Sequence, residues 1–161
     1  MRPIPGSALI IPRIVGWSYR WFAAPFKNND WWVRLNMKYA AGVPEKYFQE
    51  FRRSFQGLNE SGFTNLMIEN QRFRIPAGLE RIQVPTLIVC GQNEYAAMQQ
   101  SARDLAGALP NARAYTIHHP GRLSLAEEHN WNMTAPDLFT AMLRAWLNGQ
   151  PLPGELQPIT Y

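Results

Sequence analysis

Two apolar runs separated by a helix-length stretch constrain this chain more than any other feature of it. Thr86-Leu87-Ile88-Val89-Cys90 is short and continuous, the pattern of a strand buried on both faces, and Ala112 to His118 resumes a strand. Between them Met98, Ala102, Leu105 and Leu109 recur at helical spacing within Tyr95 to Leu109. Antiparallel strands can be joined by a tight hairpin, whereas parallel neighbours need a crossover of about this length. The pattern therefore predicts a β-α-β unit whose strands lie parallel and adjacent, with a right-handed connection.

The ends of those strands carry the chemistry. The first runs into Gly91-Gln92-Asn93-Glu94, a glycine turn that delivers a carboxylate, and His129 follows thirty-five residues later, beyond the second strand. Open α/β sheets place their sites at strand carboxyl ends. A general-base imidazole needs a carboxylate to hold its tautomer and stabilise the imidazolium, so Glu94 and His129 form two thirds of a Ser-His-acid apparatus. Taken singly, a loop histidine near a helix start and a solvated turn carboxylate are the commoner roles, and it is the pairing that points to catalysis. The adjacent Glu127-Glu128 competes for the acid role, but a neighbour of His129 in sequence is poorly placed to reach back to its ring. His118 and His119 are the alternative bases. As consecutive strand residues they point to opposite faces and make poor joint metal ligands. Neither a metal nor a cofactor is expected.

Composition bounds the rest. With 161 residues, 46% hydrophobic and 17% charged, the chain falls among globular proteins of one ordinary domain's length. The net charge of +4 comes from scattered Lys and Arg without a basic run, so no nucleic-acid partner is expected. The single Cys90 excludes an internal disulfide and fits a reducing compartment; in an apolar strand it reads as inert core. The apolar stretch Ala8 to Ile11 is broken by Pro12-Arg13, and no run approaches the roughly 18 apolar residues of a membrane span. A cytoplasmic location without membrane contact is the expectation.

Periodicity changes near residue 75. Before it, apolar residues recur at helical spacing: Ile10, Ile14, Trp17 and Trp21; then Trp31, Trp32, Leu35 and Tyr39; then Tyr47, Phe48, Phe51 and Phe55, with Asp30 and Pro44 as helix starts. Four of the six Trp lie in this half. After it, Thr134-Ala135-Pro136-Asp137 reads as a capping-box-like start to a final helix with Leu138, Phe139, Met142, Leu143, Trp146 and Leu147 on its apolar face. Three regions result: a helical region over 1–76, the β-α-β-α region over 77–148, and a proline-rich tail over 149–161 expected to be loose.

Residues 79 to 147 resemble the C-terminal part of an α/β-hydrolase. Leu79-Glu-Arg-Ile-Gln-Val-Pro-Thr-Leu-Ile-Val-Cys-Gly91 is similar to that family's entry into the acid-bearing strand, with Glu94 where the family's Asp or Glu stands. Leu105-Ala-Gly-Ala-Leu-Pro-Asn-Ala112, the strand to Ile117, and His129-Asn-Trp-Asn-Met-Thr-Ala-Pro-Asp-Leu-Phe139 continue the likeness through the histidine segment and closing helix. The resemblance implies a partial α/β-hydrolase fold, with the earlier helices as a cap over a pocket for a small, ester-like substrate.

Two motifs depart from the family's pattern. Pro120-Gly121 is followed by Arg122 and the histidine comes seven residues after it. The serine elbow Gly-x-Ser-x-Gly has only one near match, Gly16-Trp17-Ser18-Tyr19-Arg20, in which Arg replaces the second glycine and the surroundings read as helix. Ser18 is therefore expected to be a helix residue, and Cys90, inside its strand, is a weaker nucleophile still. A serine supplied from outside these residues would complete a hydrolase, and a separate N-terminal half or a second copy of the chain is the expected cover for the exposed inner edge of a two-stranded sheet. Without that serine, the chain is a non-catalytic remnant or interaction module.

Overall fold

A computed structural model describes residues 12–119, 121 and 123–159. Ile10, the Ala8 to Ile11 stretch, Pro120, Arg122 and the last two residues of the tail lie outside them. The chain divides into two compact units, one running through Ala40 and from Glu45 to Arg74, the other comprising Ala41–Pro44 and Ile75–Tyr161.

The first unit is helical. Helix α1 (Pro12–Ser18) runs into a π-helical turn over Tyr19–Ala23, and α2 (Asp30–Tyr39), α3 (Phe48–Gly57) and α4 (Glu60–Arg72) follow. Asn29, one residue before the expected start at Asp30, caps α2: its side-chain oxygen accepts from the Trp31 and Trp32 backbone amides at 3.0 and 3.3 Å. Such a cap contributes about 1 kcal/mol by pairing amides that no earlier turn can reach. Val33 and Met37, four residues apart, form the buried stripe of α2. The chain after Pro44 first makes a 3₁₀ turn over Glu45–Tyr47 and becomes α-helical at Phe48. The Tyr19 hydroxyl donates to the Leu58 carbonyl and its ring lies 5.7 Å from that of Phe63, tying the π-helical turn to the α4 region.

The second unit is mixed α/β. Strand β1 (Thr86–Gly91), helix α5 (Ala96–Ala108) and strand β2 (Ala112–Ile117) form the β-α-β unit, and β1 pairs with β2 in parallel, Thr86 opposite Ala112 through Gly91 opposite Ile117. Three short segments follow: α6 (Leu125–His129), α7 (Trp131–Thr134) and α8 (Pro136–Leu147). Thr134 does not cap α8 as expected. Its hydroxyl instead donates to the Glu127 carbonyl at 3.1 Å, and Pro136 opens the helix with its φ already fixed.

The tail is the main departure from the expected fold. Leu156–Pro158 is a third strand, β3, antiparallel to β2, with Leu156 opposite Ile117. The chain reaches it through Gly149, whose positive φ of 64° closes α8: the Gly149 amide bonds to the Trp146 carbonyl and the Gln150 amide to the Ala145 carbonyl, at 3.2 and 2.8 Å. Ile117, Trp131, Met142 and Leu156 form the buried core, with Leu87, Val89, Leu138, Phe139 and Leu152 packed against it. Each such side chain contributes about 1.5–3 kcal/mol by leaving water. Because side chains alternate along a strand, Leu87 and Val89 face this core while Ile88 and Cys90 face the other side of β1, where α5 packs.

Candidate functional site

Gly91 ends β1 because the chain must pass close to α6 there. A Cβ on Gly91 would stand 2.6 Å from Glu128 Oε2 and 3.1 Å from Glu128 Cβ. The turn that follows is fixed from several directions. The Gln92 amide bonds to the Ile117 carbonyl of β2 at 3.1 Å, and Gln99 Nε2 on α5 donates to the Gln92 carbonyl at 2.8 Å. Beyond the turn stands Glu94, a buried carboxylate whose Oε1 also accepts from the Tyr95 amide at 2.8 Å.

His129 reaches the same place from α6, whose start is a capping box. Ser124 Oγ accepts from the Glu127 amide at 3.3 Å and Glu127 Oε2 accepts from the Ser124 amide at 2.8 Å. At the other end, Asn130 Nδ2 donates to the Ala41 carbonyl, and Gly42, with φ of 62°, lies so close that a Cβ there would stand 2.2 Å from the Ala126 carbonyl carbon. Held between these contacts, α6 places His129 Nδ1 3.1 Å from both Glu94 oxygens.

The electrostatics of the pair are asymmetric. The Glu94 side chain is 5% exposed and that of His129 45%, so the carboxylate is enclosed while part of the imidazole reaches solvent. An ionised carboxylate accepts only, which makes Nδ1 the donor and leaves Nε2 with its lone pair free in the neutral ring. Nε2 has no hydrogen-bond partner among the described residues. The Tyr95 ring meets the imidazole edge-on, with centroids 5.6 Å apart, and restricts its rotation. The site thus contains an oriented imidazole open on one side.

The other residues singled out in the sequence are placed elsewhere. Ser18 has helical φ and ψ of −60° and −41°, and its hydroxyl donates to the Val15 carbonyl at 2.8 Å. It does not occupy a strained strand-to-helix turn, and no non-glycine residue among those described has positive φ. His118 is exposed just past β2, and the His119 Nδ1 accepts from the Gly121 amide at 3.3 Å; the Glu94 carboxylate goes to His129. Cys90 is buried, and burial pushes its thiol above the ordinary value, with the Glu94 charge adding to the rise and Arg103 opposing it. Among the described residues no three His, Cys, Asp or Glu side chains converge as a metal-ligand set.

Glu128 went unrecognised in the sequence except as a rival acid. It is buried, and it turns away from its neighbour's ring to Asn93: the Asn93 amide donates to Oε2 at 2.6 Å and Asn93 Nδ2 to Oε1 at 2.7 Å. The legible signals nearby were Ser124-Leu-Ala-Glu127, a capping-box pattern, and Gly91, a residue that permits close approach.

The chain is 36% identical over 81 residues to "Putative carbamate hydrolase RutD" of Pseudomonas syringae pv. syringae (strain B728a), covering 50% of this chain and 29% of that protein. It is likewise 36% identical over 80 residues to the protein of the same name from Pseudomonas savastanoi pv. phaseolicola (strain 1448A / Race 6), covering 50% and 28%. The chain thus spans less than a third of the length of these curated relatives. No protein-family model matches it. No solved structure matches it.

Proposed function

We propose that this chain carries the acid and the base of a hydrolase of the α/β-hydrolase type, cleaving an acyl bond of carbamate or ester kind in a small substrate. Glu94 holds the ring and offsets the imidazolium charge; Nε2 of His129 takes the proton of the attacking nucleophile and returns it to the leaving group. The observation that carries this reading is His129 Nδ1 within 3.1 Å of both oxygens of a buried carboxylate, with Nε2 left free. The name shared by the two relatives supports the reaction class. The nucleophile in this reading is a serine from outside these residues, carried by a separate N-terminal half, and the helices of the first unit act as the cap.

The purified chain is assayed with an activated p-nitrophenyl ester and the corresponding carbamate, alone and together with an upstream segment bearing Gly-x-Ser-x-Gly. Alone, it is expected to give no acyl-enzyme burst, because oriented base and acid have no nucleophile to activate. Completed, it is expected to turn over, and His129→Ala to abolish that turnover. Full activity of the completed His129→Ala enzyme would refute the reading. Activity of the chain alone that Ser18→Ala removes would move the nucleophile to Ser18. The helical placement of Ser18 favours a second reading, a non-catalytic remnant that keeps the packing of a hydrolase; no turnover in any combination selects it.

A further inference from the structure

Two consecutive residues of α6 bind two consecutive residues of the turn after β1. His129 takes Glu94 and Glu128 takes Asn93, and both pairs are separated by thirty-five positions. The Glu128 contacts are short for N–H···O bonds, 2.6 Å from the Asn93 amide and 2.7 Å from its side-chain nitrogen, as expected where the acceptor is charged. The carboxylate is 4% exposed and is held by these two amide donors, with no cationic side chain among the described residues paired to it.

The stability of α6 gains little from an acid there. Glu128 is the fourth residue of a five-residue helix, at the end of its first turn, where the pull of the helix dipole on a negative charge is already weak, and burying a carboxylate is costly. Gly91 leaves room for it, since a Cβ at that position would collide with Oε2. The contact therefore spends burial and a glycine on fixing one residue, Asn93, and the next residue is the acid that orients the imidazole.

We propose that Glu128 is a positioning residue: its two bonds to Asn93 lock the turn at the spacing that brings Glu94 within reach of His129 Nδ1. This rests on the acid–base reading above and deepens it. A hydrogen bond of about 3 Å fails with a displacement of a few tenths of an ångström, and the lock lies on the residue next to the bond it sets. Asn93 gives Glu128 both its backbone and its side chain, so the lock fixes the orientation of the turn as well as its position.

The test reads the His129–Glu94 bond directly. In the full chain with ¹⁵N-labelled histidine, a carboxylate-bonded Nδ1–H gives a low-field proton signal, assigned to His129 by its loss in His129→Gln. Glu128→Ala, with circular dichroism unchanged, is expected to lose this signal by exchange broadening. Glu128→Gln is expected to keep it, because the amide oxygen still accepts from the Asn93 backbone and the Asn93 side chain can turn over to accept from the new amide. Gly91→Ala, which pushes the carboxylate away, should behave like Glu128→Ala and gives a second route if that variant does not fold. An unchanged signal in folded Glu128→Ala or Gly91→Ala would overturn the positioning role alone. Absence of the signal from the wild-type chain would overturn the acid–base pairing, and the positioning role with it.

Discussion

Leu156→Ala tests whether the end of the chain belongs to the core. Leu156 is 5% exposed and packs with Ile117, Trp131 and Met142, and its strand is held by backbone bonds on either side, His118 amide to Glu155 carbonyl at 2.7 Å and Ile159 amide to Ala114 carbonyl at 2.9 Å. Replacing a buried leucine by alanine costs about 2–5 kcal/mol, the transfer of the lost methyl groups plus the cavity left behind. A three-residue edge strand can relax inward to close part of that cavity, which places this site near the low end, about 2–3 kcal/mol. For a cooperative unit of under 100 residues that corresponds to a melting point lower by roughly 10–20 °C. Thermal unfolding followed by near-ultraviolet circular dichroism reports it, because Trp131 sits in the same cluster. The exposed neighbour Gln157→Ala is the control and should stay within about 0.5 kcal/mol of wild type. If Leu156→Ala melts with the control, the tail does not stabilise the unit and β3 contributes only its backbone pairing.

Gly42→Ala should destabilise the second unit by more than about 2 kcal/mol in urea unfolding, since the position combines φ of 62° with a backbone 2.2 Å from the new Cβ. Cys90 should react with a thiol reagent much more slowly in the folded chain than in denaturant, and the rate should climb as pH rises past the ordinary thiol value of 9.0, because the thiolate attacks and burial raises the thiol. The same raised thiol gives its full contribution to stability below 9.0 and loses it as pH rises through the higher folded value, so alkaline unfolding should come slightly later in Cys90→Ala.

The β-α-β unit was legible because its evidence is local: two apolar runs and a crossover too long for a hairpin. The Glu94–His129 pair was legible for a related reason, since strand order alone brings the two carboxyl ends together. What escaped was decided by distant partners. Leu156-Gln157-Pro158 has no strand-like run, and Pro158 is tolerated because β3 is an edge strand. Thr134 looked like a cap and is not one, because its hydroxyl finds the carbonyl of Glu127 on α6. For Glu128 the sequence offers only its adjacency to His129. On a short helix that adjacency correctly removes it from its neighbour's ring, but it leaves open which other residue it reaches, and nothing near Asn93 in the sequence names it.

Two carboxylates therefore converge on one turn with different compensation, Glu94 by an imidazole and Glu128 by amides, and matched amide substitutions separate what each does. Glu128→Gln removes a charge but keeps an acceptor for the Asn93 amide, so the geometry persists. Glu94→Gln removes the charge from the ring's own partner, and its amide can present a donor to Nδ1, which favours the tautomer with the proton on Nε2 and no free base. In the hydrolase completed as proposed, Glu94→Gln is expected to lower kcat by about 10⁴-fold, the cost of a wrong tautomer in an intact triad, whereas Glu128→Gln should stay within about tenfold of wild type. Steady-state kinetics on the two variants read the contrast. Equal losses would mean that the charge of Glu128 also serves the imidazolium. A small loss in Glu94→Gln alone would mean that the ring is oriented without its carboxylate, and the central assignment of the site would fall.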